Sequence, residues 1–152
     1  MGIGLLSVAD VSEFAFIKTM KTRRFFLIIL VAYILFFFFM AVLSRITEPE
    51  AGYRVKSDLF WGYDNPEDEI VKDNIINIGC FIPIGILVGL IAKRHRLLYG
   101  MLVGFLTSLA IECTQLLWQK GVFDVDDLFN NTAGALIGGL IALLILGFRR
   151  EL

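Results

Sequence analysis

The chain has 152 residues, of which 57% are apolar, and a formal net charge of −1. A soluble globular domain is usually less than half apolar, so this composition excludes an ordinary soluble domain. The two cysteines, Cys80 and Cys113, fall in apolar stretches, and with a single histidine they support neither a disulfide scaffold nor a zinc site. We interpret both cysteines as small apolar residues.

Residues 1–24 form the first segment and end in a basic cluster. Apolar residues recur at every third position (Leu5, Val8, Val11 and Phe14), which predicts a short helix lying on the cytoplasmic surface of a membrane. A secretory signal is the alternative. It is disfavoured because the apolar run that follows is too long for the core of a signal, and no small-residue cleavage site comes after it.

Four stretches with almost no charge follow, and each is long enough to cross a membrane as a helix. About 20 helical residues span the roughly 30 Å of hydrocarbon in a bilayer. The alternating pattern of a transmembrane β-barrel is absent. The sequence therefore predicts an all-α bundle of four transmembrane helices forming one domain over residues 25–150, with spans near 25–44, 74–92, 97–119 and 128–148.

The segments between the spans alternate in charge. Basic residues precede span one, link spans two and three, and follow span four at residues 149–150. In contrast, residues 44–74 carry eight acidic and four basic residues, and residues 120–127 are also acidic. Basic loops of membrane proteins stay in the cytoplasm. The sequence therefore predicts that both termini are cytoplasmic and that both acidic loops lie outside.

The first outer loop is long for a connection without structure of its own, which predicts a structured loop with a functional or partner-contacting role. Arg54 and Lys56 are cations in this otherwise acidic segment. Two interpretations stay open. In the first, both cations are solvated surface charges. In the second, one of the two cations folds over the outer ends of the helices and pairs with a carboxylate or an anionic headgroup.

Glycines spaced four residues apart occur in spans two to four and are missing from span one. Such pairs let helices approach closely. They predict that spans two to four form a tight core and that span one lies outside it; the pairs are Gly85/Gly89, Gly100/Gly104 and Gly134/Gly138.

Polar residues in spans two to four fall at a similar depth. At about 1.5 Å per residue, Glu112 lies about 10 Å below the outer end of span three. A carboxyl group inside a bilayer is costly and usually marks a functional site, whereas an amide often only bonds a neighbouring helix. The sequence predicts a ligand-binding cluster in the outer third of the membrane, formed by Asp73, Asn77, Glu112, Gln115, Asp127 and Asn131, with Arg54 from the loop.

The same cluster contains candidates for catalysis, Glu112 and Asp127. A carboxylate pair can perform acid–base chemistry or hold a divalent cation. Nucleophilic catalysis is not expected, because the only histidine, His95, lies on the opposite side. The aspartates at 124–127 lack the spacing of a calcium loop. We expect no metal and no cofactor, and an enzyme is the less favoured interpretation.

Three linked motifs run from residue 73 to residue 138. They read Asp73-x3-Asn77-x3-Phe81-Ile-Pro83-Ile-Gly85, then Ser108-x3-Glu112-x2-Gln115, then Phe123-Asp124-x2-Asp127-x3-Asn131-Thr132-x-Gly134-x3-Gly138. Together they resemble the VanZ-like family, small bacterial membrane proteins associated with teicoplanin resistance. The resemblance implies a multi-pass protein of the bacterial cytoplasmic membrane in which the six polar positions are characteristic.

One departure from the family pattern lies just before the Phe-Asp pair. Many members have an arginine there, whereas this chain has Lys120-Gly121. Lysine cannot replace the bidentate guanidinium of arginine. The resemblance therefore implies no role that needs a guanidinium at this position.

Three functions follow as hypotheses. In the first, an outer-leaflet cavity binds an amphiphile (a lipid, a lipid-linked wall precursor or a lipoglycopeptide), with glycopeptide resistance as one outcome. In the second, a membrane enzyme acts on a lipid-linked envelope substrate through Glu112 and Asp127. In the third, the chain is a structural or partner subunit whose polar cluster locks the helices together. Membrane lipid is the expected partner, nucleic acid is not, and the sequence predicts no oligomeric state.

Overall fold

The computed structural model of the chain describes residues 8–46, 50, 52–57 and 68–148. Within these ranges, four helices are long and apolar enough to cross a membrane, which confirms the predicted all-α architecture. Two short strands also form, one in each of the two acidic loops. The elements are α1 (Val8–Leu43), β1 (Arg54–Lys56), α2 (Asp68–Ile91), α3 (Arg96–Leu117), β2 (Val122–Asp124) and α4 (Val125–Phe148).

The connection between α3 and α4 is shorter than predicted. Helix α3 ends at Leu117 rather than at residue 119, and Gln119 adopts a left-handed φ of 55° that turns the chain. Helix α4 begins at Val125 rather than at residue 128, because the side chain of Asp124 accepts the N–H of Asp126 at 2.9 Å. This is the bond of an N-cap residue. It places the two following aspartates in the first turn of α4, where the helix dipole favours negative charge.

Helix α1 does not break at residue 24, the predicted end of the N-terminal segment. Val8–Leu43 contains neither proline nor glycine, so nothing in its sequence interrupts the helix. The helix predicted within the N-terminal segment therefore continues directly into span one. The first part of that segment, residues 1–7, and the basic pair at 149–150 lie outside the described residues.

The helices alternate in direction, which gives the bundle two chemically different ends. At the polar end, the last turns of α1 and α3 meet the first turns of α2 and α4, and the side chain of Gln115 donates to the carbonyl of Ala41 at 3.2 Å. At the opposite basic end, the guanidinium of Arg23 donates to the carbonyl of Ile91 at 2.7 Å. The polar end includes Arg45, Lys56 and Asp73, and the basic end includes Arg23, Lys93, Arg94 and Arg96.

Helices α2, α3 and α4 form the tight core that the glycine pairs predict. A Cβ atom on Gly134 would collide with the carbonyl oxygen of Ile78, and one on Gly138 with that of Ile82. The backbones of α2 and α4 are therefore in direct contact. Helix α1 lies outside this core, since 11% of its spanning window is buried, against 33%, 28% and 39% in α2, α3 and α4.

The distribution of polarity is the reverse of that in a soluble protein. Phe36 and Leu144 are exposed over 63% and 62% of their surfaces, whereas Ser108 and Asn130 are fully buried and Glu112 is 3% exposed. Apolar surface outside and hydrogen-bonded polar groups inside are what hydrocarbon surroundings require. The chain is a multi-pass membrane protein.

The alternating loop charges predict which end of the bundle faces outward. In a variant whose two cysteines are replaced by alanine, we expect a membrane-impermeant maleimide to label intact cells carrying Tyr53→Cys, which lies at the exposed polar end. Cells carrying Lys93→Cys at the basic end should be labelled only after permeabilisation. Labelling of position 93 in intact cells, with position 53 protected, would reverse the orientation.

Candidate functional site

The polar end contains two cavities that share part of their walls. The deep cavity, of about 250 Å³, lies among all four helices and includes Phe37, Ile111, Glu112, Gln115 and Asn131. The shallow cavity, of about 350 Å³, is roofed by the strands and includes Lys56, Asp73, Asn74, Val122 and Asp124. Arg45, Asn77 and Asp127 line both cavities.

Glu112 joins the deep cavity to the start of α4. Its carboxylate accepts the backbone N–H of Asp124 at 2.9 Å, so the side chain reaches across to the residue that caps α4. The turn between them is tight, because a Cβ atom on Gly121 would lie 3.2 Å from the side chain of Gln115. This hydrogen bond satisfies one oxygen of the buried carboxyl group. It also fixes where the helix begins.

Two polar pairs link α2 to α4 near the polar end. Asn77 donates to the carboxylate of Asp127 at 2.6 Å. In the second pair, Asn130 donates to the side-chain oxygen of Asn74 at 2.9 Å, and both asparagines are buried. In a bilayer each such bond contributes roughly 0.5–2 kcal/mol. These hydrogen bonds fix the rotation of α4 relative to α2.

Asn131, which lines the deep cavity, has an unused acceptor. Its amide nitrogen donates to the hydroxyl of Ser108 at 2.8 Å, and its side chain is only 6% exposed. The amide oxygen has no hydrogen-bond partner among the described residues. Leaving such a buried oxygen without a donor costs about 1–3 kcal/mol. A donor that reaches this oxygen would remove the cost.

The outer loop contributes a cation through its short strand. Strand β1 pairs in parallel with β2, which places Lys56 beside Asp124, and the two side chains form an ion pair at 2.9 Å. Of the two loop cations, Lys56 is therefore the one that folds over the helix ends and pairs with a carboxylate. Arg54 pairs with Val122, about 7 Å further along the strand. It is exposed and lines neither cavity.

Carboxyl groups outnumber cations around the two cavities. The described residues on the cavity walls include four carboxyl groups and two cations, namely Asp73, Glu112, Asp124 and Asp127 against Arg45 and Lys56. This arrangement suits a ligand that is rich in hydrogen-bond donors. Within the described ranges, no three His, Cys, Asp or Glu side chains are grouped so that they could hold a metal ion.

The structure places the predicted site residues in three locations. Asn77, Glu112, Gln115, Asp127 and Asn131 line the deep cavity, and Asp73 lines the shallow one. Arg54 is the predicted residue that stays apart from both. Gln115 also bonds α1, so part of its role is to join helices.

Five further polar residues at the site were not among the predicted site residues, although two of them, Ser108 and Asp124, stand in the three motifs; the five are Arg45, Asn74, Ser108, Asp124 and Asn130. Two of them carried a usable signal. Ser108 lies four residues before Glu112 on the same helix face, and Arg45 is a lone cation directly after span one on the acidic side. The asparagines gave no comparable signal, because a polar residue at the end of a span is common whatever its role.

Comparison with known protein families gives a match over the bundle. The VanZ/LLP1 family model matches residues 24–146, which include every residue that lines the two cavities. A comparison with curated proteins found no match, and a comparison with solved structures found none either. The family match confirms the resemblance inferred from the three motifs. It extends over most of the chain, and the protein therefore belongs to the VanZ/LLP1 family.

Proposed function

We propose that this protein binds an amphiphile in the outer leaflet of a bacterial cytoplasmic membrane. Part of the headgroup enters the deep cavity, and an acyl chain lies along the seam between α1 and α3. One observation carries the proposal. The polar cavity, with its unused Asn131 oxygen, lies beside an apolar groove formed by the same two helices.

The apolar groove has a volume of about 280 Å³ and lies between α1 and α3; it is lined by Ile34, Phe38, Val103, Leu106, Thr107 and Ala110. The deep cavity begins one turn closer to the polar end, at Phe37 and Ala41 of α1 and Ile111 of α3. Because α1 and α3 run in the same direction, groove and cavity follow each other along one seam. This order supports a ligand with a polar head and an apolar tail.

The chemistry of the cavity favours a headgroup that donates hydrogen bonds. The Asn131 oxygen and the carboxyl oxygens of Glu112 and Asp127 are acceptors, whereas Arg45 is the one cation that the described residues place on the wall of the deep cavity. A lipoglycopeptide offers amines and sugar hydroxyls together with an acyl chain, and lipid-linked wall precursors offer hydroxyls and amides. Binding of either class at the outer face would give teicoplanin resistance as one outcome.

Expression of the chain is expected to raise resistance to teicoplanin more than to vancomycin, which lacks the acyl chain. Glu112→Gln should abolish that increase and weaken binding of teicoplanin to the purified protein by at least about tenfold, the effect of a loss of roughly 1.4 kcal/mol. Glutamine keeps an oxygen that accepts the Asp124 N–H, so the variant should stay folded. The measurements are susceptibility with and without expression, and binding to the protein in lipid nanodiscs.

The matched control is Cys113→Ala. Cys113 follows Glu112 on α3 but its side chain is exposed, so this variant should behave as the unchanged chain does. Equal teicoplanin susceptibility with and without expression would refute the resistance outcome. Binding that is unaffected by Glu112→Gln would refute the cavity as the binding site, and conversion of a lipid-linked substrate would assign an enzyme instead.

A further inference from the structure

The basic end of the bundle contains another cavity, which the proposed function does not use. This basic cleft has a volume of about 360 Å³. It lies between the first turns of the α1 span, the end of α2 and the last turns of α4. Its walls include Arg23, Phe26, Ile91, Lys93, Arg96 and Ile145.

We propose that the basic cleft binds an anionic phospholipid of the leaflet at that end, with the phosphate group held by Arg23, Lys93 and Arg96. Three cations line the cleft, and no described acidic residue lines it. Basic pockets between transmembrane helices are suited to anionic headgroups. The apolar part of the wall, which includes Phe26 and Ile145, provides surface for the acyl chains.

The two arginines are held in place before any ligand binds. Arg23 donates from Nε and Nη2 to the carbonyl of Ile91 at 3.0 and 2.7 Å, and Arg96 donates from Nη1 to the carbonyl of Gly89. These carbonyls belong to the last turn of α2, which lacks intrahelical donors. A guanidinium has five N–H groups. Each arginine therefore retains donors for a phosphate while its position is fixed by the helix end.

The start of α3 adds a second attraction for an anion. Helix α3 begins at Arg96, on the wall of the cleft, and its first intrahelical backbone bond is donated by Tyr99 to His95. His95 makes no side-chain capping bond, so the N–H groups of the first turn have no cap from that residue. An uncapped helix N-terminus favours a phosphate. It strengthens the site that the three cations define.

The simpler explanation for the arginines is that they only cap the carbonyls of α2. Basic side chains commonly satisfy the last carbonyls of a helix and interact favourably with its dipole. Capping does not explain Lys93, which is exposed and also lines the cleft. Capping of the α2 carbonyls stabilises the helix equally in any lipid, whereas the proposed site requires an anionic lipid. The lipid dependence of the effect therefore separates the two explanations.

The test compares lipids on the purified full chain in a neutral detergent. Native mass spectrometry should detect phosphatidylglycerol bound more tightly than phosphatidylcholine. The double variant Arg23→Gln/Lys93→Gln should bind phosphatidylglycerol about 25-fold more weakly, since each basic residue near an anionic surface contributes a factor of about five. If this variant does not fold, Lys93→Glu alone keeps the test decisive, because the exposed Lys93 does not cap α2.

The matched control removes the same charge from the same end of the bundle. Arg24→Gln/Arg94→Gln replaces two exposed cations that do not line the cleft, and phosphatidylglycerol binding should fall by less than about twofold. An equal loss in both double variants would refute a defined site, leaving general attraction to the membrane surface. Equal binding of phosphatidylcholine would also overturn the proposal. Inorganic phosphate that displaces the lipid at equal concentration would reassign the cleft to free phosphate.

Discussion

Replacing Gly138 by leucine is expected to separate α2 from α4 and to lower the free energy of unfolding by about 3 kcal/mol or more, because overpacking costs about 1–3 kcal/mol even where neighbours can move. The atoms that a side chain would meet are the carbonyl oxygen of Ile82, the amide nitrogen of Ile86 and the Cα of Gly85. All three belong to the backbone. No rotamer change can make room, so the helices themselves must move apart.

Gly147→Leu is the control for this prediction. It adds the same side chain to the same helix, at a position where a Cβ atom meets nothing within 4 Å. Thermal unfolding in detergent, followed by loss of monodisperse protein, should show a large decrease for Gly138→Leu and little change for Gly147→Leu. Similar decreases for both variants would mean that the added apolar surface, rather than the helix contact, destabilises the protein.

The close contact between α2 and α4 explains why the helices could be predicted from the sequence whereas the hydrogen-bond partners of their side chains could not. Long uncharged stretches predict spans because a backbone in hydrocarbon must satisfy its own hydrogen bonds, and the glycine pairs predict which helices pack closely. The contact at Gly134 and Gly138 then sets the rotation of α4 against α2. That rotation decides that Asn130 reaches Asn74 and that Asp127 reaches Asn77. Residue spacing within one helix carries no information about it.

The position of the outer loop depends on the pairing of two short strands, which the sequence does not reveal. Strands β1 and β2 have three residues each, too few for an alternating pattern to be recognised. Their register selects Lys56 rather than Arg54 as the cation beside the cluster. Depth below the membrane surface predicted that polar residues from three helices lie at one end, because rise per residue is constant in a helix. Which loop residue reaches the site could not be predicted from the sequence and was seen only in the structure.

Asp124 is the residue where the loop, α3 and α4 meet, and Asp124→Ala is expected to lower the free energy of unfolding by about 1–3 kcal/mol. Its side chain caps α4 through the N–H of Asp126 and forms the ion pair with Lys56. Alanine removes both interactions. Its backbone N–H still donates to Glu112, so the start of α4 should remain attached to α3. Thermal unfolding in detergent measures the loss.

Two further variants separate the cap from the ion pair. Asp124→Asn retains a side-chain oxygen for the cap, and Lys56→Met removes the ion pair and leaves the cap in place, so each should cost less than about 1 kcal/mol. The two changes combined should cost less than the sum of the two single costs, because both remove the ion pair between Lys56 and Asp124. If Asp124→Asn destabilises the protein as much as Asp124→Ala, the ion pair rather than the cap holds the beginning of α4. In that case the outer loop, through Lys56, would be required to keep Asp127 at the cavity wall.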